Sequence, residues 1–188
     1  MPCLTRRRLA ALFPAAAMGG AVLAGPRAAA AASRAEIDAE VGAALTRLRA
    51  MDNAAPLFQR ARSILVFPRI IQGGFIVGGQ YGEGAAIQGG RTVGYYSIAG
   101  ASFGLLAGAQ ASGLAMFFMT DEAMRALMAA EGWEIGTGPS VVVLDRGVQA
   151  NVTATTLTEP VYAITFNQQG LMAALALNGT KISRITPG

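Results

Sequence analysis

Few residues in this 188-residue chain could do chemistry, and what is missing constrains them first. There is no histidine, which removes the commonest general base and the commonest metal ligand. The single cysteine, Cys3, can close no internal disulfide and build no thiolate cage. Nucleophilic catalysis would need Ser97, Ser102 or Ser112 with a base, and the only lysine, Lys181, stands at no spacing that suggests a dyad. Glu83 is the conspicuous carboxylate, set among glycines and apolar residues, where it must be paired or protonated. An ion pair with an arginine is the expectation for it, ahead of a hydrolytic site. The run from Gly73 to Gly84 has neither the G-x-x-x-x-G-K-[ST] nor the G-x-G-x-x-G spacing of a phosphate-binding loop. Glycines spread through strands instead allow bends, bulges or close approach of another layer. The sequence therefore predicts no enzyme, no metal site and no cofactor.

The basic residues remain. Of the 15, Arg6, Arg7, Arg8 and Arg27 precede Ser33, so from Ser33 onward eleven basic residues face the 11 acidic ones and the charges cancel. The pI near 9.8 belongs to the whole chain and is no nucleic-acid signature. Tyr95-Tyr96 and Phe117-Phe118 also lack adjacent basic residues. Arg47, Arg49, Arg60, Arg62 and Arg69 nevertheless cluster, close to an apolar helical stripe. An interfacial membrane contact uses that combination, at ~1 kcal/mol per basic residue near an anionic surface. The competing account is a stripe packed on a sheet with solvated arginines.

The first thirty residues read as an address. Thr5-Arg6-Arg7-Arg8 leads into an apolar stretch from Leu9 to Leu23, then Gly25-Pro26-Arg27 and the run Ala28 to Ala32 with its A-x-A cleavage options. The stretch falls short of the ~20 residues a comfortable transmembrane helix needs. The paired arginines resemble a twin-arginine signal, with the general secretory route as the alternative. A cleaved export signal over 1–32 and one mature domain over 33–188 follow. The expected location is periplasmic or secreted and peripherally membrane-associated.

Ser33-Arg34-Ala35-Glu36 forms a capping box, followed by Ile37, Val41, Ala44, Leu45 and Leu48 at helical spacing for about four turns. Asp52-Asn53 breaks that helix, and Pro56 suits the first turn of a second. Ile64 to Phe67 is a short strand stopped by Pro68, and the Gly73–Gly84 stretch, Thr92–Phe103 and Ala107–Met119 read as further strands. The unbroken run Leu114 to Met119 suits a strand covered on both faces. Thr120-Asp121-Glu122 caps an inserted helix that ends at Gly132. Val141–Leu144, Val148–Thr156, Val161–Phe166, Leu171–Leu177 and Lys181–Ile185 follow as strands, the last after an Asn178-Gly179 turn. The fold class is α+β: a mainly antiparallel β-sheet or barrel-like body with N-terminal amphipathic helices and one inserted helix.

The ordered blocks Ala61-Arg62-Ser63-Ile64-Leu65-Val66-Phe67-Pro68 and Gly74 to Gly84 resemble the opening of the SYLF domain, a lipid-binding family also described as actin-binding in its yeast members. Tyr95-Tyr96, Ala101-Ser102-Phe103-Gly104, Gly108-Ala109-Gln110, Phe118-Met119-Thr120, Gly132-Trp133-Glu134 and Gly170-Leu171-Met172 continue the pattern to about Ile185. The resemblance implies a phospholipid-binding module that uses an amphipathic N-terminal helix and basic residues, with phosphoinositide-type or other anionic lipid as ligand. Arg62 keeps the charge of a common family Lys, whereas Gln72 stands where Lys is frequent. The expected lipid-binding residues are Ile37, Val41, Leu45 and Leu48 on the helix with Arg60, Arg62 and Arg69, joined by Lys181 and Arg184. An exported protein would not meet actin. The alternative is a structural or protein-interaction component of the cell envelope, marked by a helix face sealed against the sheet.

Overall fold

The computed structural model describes residues 32–74, 77–103, 110–130, 132–135, 140–144, 157–169 and 179–188. Residues 1–31 of the export signal, the strands read at Val148–Thr156 and Leu171–Leu177, and Asn178 of the turn lie outside the described residues. Helix α1, Arg34–Arg49, starts at the expected capping box: the Ser33 hydroxyl accepts from the Glu36 amide, and the Ser33 amide donates to Glu36 Oε2 at 2.8 Å. The Ser33 amide and then the Ser33 hydroxyl, both donating to Glu36 Oε2, hold this exposed carboxyl below the usual carboxylate range. A 3-10 turn over Asp52–Ala54 then leads into the short helix α2, Ala55–Arg60, which carries Pro56 in its first turn.

Eight strands follow: β1 (Ser63–Gly74), β2 (Val77–Gln88), β3 (Arg91–Phe103), β4 (Gln110–Phe118), β5 (Trp133–Glu134), β6 (Val141–Leu144), β7 (Val161–Gln169) and β8 (Thr180–Ile185). Helix α3, Asp121–Ala129, lies between β4 and β5, with the Thr120 hydroxyl accepting from the Ala123 amide. The strands form one sheet, in the order β5-β8-β3-β2-β1-β4-β7-β6, curled into a half-barrel. Only the β6–β7 pair is parallel among the described strands. The α+β reading, with its mainly antiparallel barrel-like body and inserted helix, therefore holds.

Two expectations need correcting. Pro68 does not stop the first strand: β1 runs through it, and its register shifts against both neighbours between Val66 and Ile70. A bulge of this kind leaves the residue that lacks an N–H outside the ladder. Helix α3 ends at Ala129, before Gly132, its cap Ala130 having already turned extended. The Gln88–Arg91 turn is as expected, with Gly89 and Gly90 at φ +57° and +77°. Gly84 shows the close approach foreseen for the glycine-rich stretch, since a Cβ there would collide with the Val66 carbonyl and lie 2.8 Å from the Phe67 ring.

The sheet is buried on both faces. One face packs Leu65, Ile70, Tyr96, Met116 and Phe118 against α3 and Trp133; the other packs Val66, Ala115, Phe117 and Ile164 against α1 and α2. Leu114 to Phe118 are wholly buried, as the continuous apolar run required.

One row across the sheet is polar. Gln110, Gln72, Gln80, Gly100 and Thr180 are successive register partners on β4, β1, β2, β3 and β8. Gln72 Nε2 donates to Gln80 Oε1 at 2.9 Å, and Gln80 Nε2 donates to Thr180 Oγ1 at 2.6 Å. The second bond reaches over β3 because Gly100 has no side chain; a Cβ there would lie 2.9 Å from Gln80 Nε2.

Candidate functional site

The apolar residues expected to face lipid are inside the protein. Ile37, Val41 and Leu48 are 3%, 2% and 0% exposed, and the half-buried Leu45 packs on the same cluster. Each large side chain so buried stabilises by about 1.5–3 kcal/mol. Lifting α1 off the sheet would therefore cost roughly 5–9 kcal/mol, a large part of an ordinary domain's 5–15. In this structure the apolar face of α1 serves the core, and lipid contact through it would require the helix to detach.

The basic residues separate into three grooves rather than one patch. Arg60 and Arg62 line the first, of about 390 Å³, with Gln59 and Met119. Arg69 lines a second, of about 430 Å³, opposite Arg47 and beside Glu40 and Asn167. Arg184 lines a third, of about 460 Å³, with Arg34 and Tyr95. Lys181 stands apart and exposed on β8, opposite Ala99 and Glu134, its stem laid over Gly132. Arg47, Arg62, Arg69 and Arg184 form no ion pair among the described residues. Arg49 instead stacks over the Phe58 ring at 5.5 Å.

Ile71 and Tyr81 face each other across β1 and β2 and remain 49% and 51% exposed. Ala111 and Ala99 flank them in register, and Lys181 on β8 and Glu134 on β5 continue the row. Arg69 lies two residues along β1 from Ile71, on the same face. Sequence reasoning did not single out Ile71, Tyr81, or the partnering of Arg47 with Arg69 and of Arg34 with Arg184. A signal for Ile71 existed: in the pair Ile70-Ile71 one residue must point away from the buried face, and Ile70 is the one inside. Gln72 lies on the buried face, 6% exposed and bonded to Gln80, so this position offers no headgroup contact here.

Glu83 also departs from expectation. Arg69 is its register partner, yet the two form no ion pair. Its carboxylate accepts instead from the Tyr81 hydroxyl at 2.6 Å and from the Ala32 amide at 3.1 Å. Partial burial, then the hydrogen bond to Glu83, then that group's negative charge push the Tyr81 phenol up to about 12. Tyr81 thus stays protonated in the folded chain from pH 10 to 12 while the unfolded chain ionises. Its contribution to stability is complete below pH 10 and is lost as pH rises towards 12. Ultraviolet difference titration of wild type and Tyr81→Phe should assign a tyrosine near pH 12 to this position. Glu83→Gln should lower that value towards the ordinary 10; an unmoved titration would refute the pairing.

No cluster of three or more metal-ligating side chains exists among the described residues, and no helix among them is long and apolar enough to cross a membrane. The curled sheet carries helices on its faces and grooves lined by arginines on its surface. Residues 99–186 match the family model Ysc84, described as Las17-binding protein actin regulator. That is the SYLF family that the sequence blocks resemble, and the match covers the C-terminal part of the chain, from within β3 to just past the end of β8. No curated protein matches the chain.

Proposed function

We propose that the exported, mature chain is a non-enzymatic module that adsorbs to anionic phospholipid on the periplasmic side of the cell envelope. The family gives the broader class, a lipid- or actin-binding domain, and export would remove the chain from actin. The observation that carries the lipid reading is the exposed Ile71–Tyr81 pair beside Arg69, with Arg47, Arg62 and Arg69 forming no ion pair among the described residues. An apolar pair with an amphipathic tyrosine suits the headgroup boundary, and arginines supply attraction to lipid phosphate. The residues in contact are then Arg60, Arg62 and Arg69, with Arg47, Ile71 and Tyr81 added and Lys181 and Arg184 secondary. The α1 residues Ile37, Val41, Leu45 and Leu48 act by holding the frame.

Co-sedimentation of the mature chain with phosphatidylcholine vesicles, with and without phosphatidylglycerol, tests this. Pelleting should rise with the anionic lipid and fall with salt, because exposed charges are screened beyond about 10 Å at 0.1 M. Equal, negligible pelleting with both vesicles would refute the proposal. The sealed face of α1 favours a second reading, a protein-interaction component of the envelope, and that same null result would support it.

A further inference from the structure

Glu83 is a carboxylate whose cation is missing. Arg69 faces it directly across the β1–β2 ladder but lies instead in the groove with Arg47, and no lysine or arginine reaches ion-pair distance of Glu83 among the described residues. One oxygen is taken by the Tyr81 hydroxyl. The other receives the backbone nitrogen of Ala32, at 3.1 Å and 51 residues away in sequence. Ala32 itself is partly buried on the α1-side core, so the chain is already seated at this residue. The next amide, that of Ser33, is committed to Glu36 in the capping box. The nitrogen on Glu83 also follows Ala29-Ala30-Ala31 directly, a stretch of the small-residue kind that an export peptidase recognises.

We infer that Glu83 is the receptor for the mature N-terminus, and that processing cuts the peptide bond between Ala31 and Ala32. Hydrolysis adds one water across that bond. Ala31 leaves as a carboxylate on the released leader, and the nitrogen of Ala32 becomes an ammonium. That nitrogen then carries a full positive charge at the position where it already touches Glu83 Oε2. A neutral amide contact becomes a charge-assisted pair, roughly twice as strong as its neutral counterpart. The cut lies one residue before the 32/33 boundary read from sequence. Removal of the leader thus completes the ion pair that the sequence predicted for Glu83, with the chain's own terminus in place of an arginine. The inference rests on the export half of the proposed function and not on lipid binding.

Two measurements test it. Intact-mass analysis and N-terminal sequencing of the chain recovered after export should show Ala32 as the first residue. A full-length mass would refute export itself, whereas a start at Ser33 or upstream of Ala32 would overturn only this inference. In the mature chain, Glu83→Gln should lower Tm by about 2–4 °C. Acetylating the N-terminal amine should lower it comparably, and Glu83→Gln should add little in the acetylated chain, as residues acting as a pair require. Additive losses, or a Glu83→Gln chain as stable as wild type, would overturn the pairing. Tyr81→Phe, which keeps the terminus and the carboxylate, should leave the acetylation effect intact; its disappearance would likewise count against the pairing.

Discussion

Reversing two charges together, Arg60→Glu with Arg62→Glu, should weaken binding to phosphatidylglycerol-containing vesicles by about 30-fold to several hundred-fold. Each basic residue near an anionic surface contributes ~1 kcal/mol. Reversal removes that attraction and adds a similar repulsion, so the pair changes the free energy by about 2–4 kcal/mol, and each 1.36 is tenfold. Both residues line one groove at the entry to β1, and Arg62 forms no ion pair among the described residues whose loss would confuse the result. Gln88→Ala, at the exposed end of β2, is the control and should bind as wild type does. Retained affinity in the double variant, with far-ultraviolet circular dichroism unchanged, would remove this groove from the interface.

Leu48→Ala should cost about 2–5 kcal/mol of folding stability, read as a lower urea midpoint with an unchanged slope. Leu48 has no exposed surface and ends the stripe Ile37, Val41, Ala44, Leu48 that seals α1 to the sheet. Truncating it leaves a cavity in the core cluster that α1 shares with Val66 and Phe117. The protein that remains folded should bind vesicles as wild type does, because the side chain faces the core. A Leu48→Ala chain of normal stability that had lost its vesicle affinity would return α1 to the membrane. The two substitutions therefore separate the helix as framework from the arginines as contact.

The elements were legible where local chemistry dictates them. The capping box at Ser33, the proline at the start of α2, the Gly89-Gly90 turn and the doubly covered run at Leu114–Phe118 each carry their own sufficient cause. Pro68 misled because its missing N–H reads as a stop, while the sheet absorbs it in a bulge that only strand pairing reveals. The helix stripe was correctly periodic, but periodicity says that a face is apolar and not what covers it. Only the packing of Ile37, Val41 and Leu48 decides between sheet and bilayer. The arginines were legible as a cluster along the chain; their division among three grooves depends on how α1 crosses the sheet. Arg34 and Arg47 sit near opposite ends of a helix about 24 Å long and meet different strands. Glu83 was rightly read as needing a partner, and Tyr81 and Ala32 turned out to supply it.

The glutamine row bears on when the domain is finished. Gln72 and Gln80 are made early in the chain and buried deep in the sheet, yet the hydroxyl that accepts from Gln80 arrives on the last strand, at Thr180. A chain stopped short of that residue would lose this hydrogen bond, a net contribution of about 0.5–1.5 kcal/mol. Two positions 100 apart in sequence are thereby tied together across β3, so the last strand is fastened to the sheet by a side chain as well as by its backbone ladder.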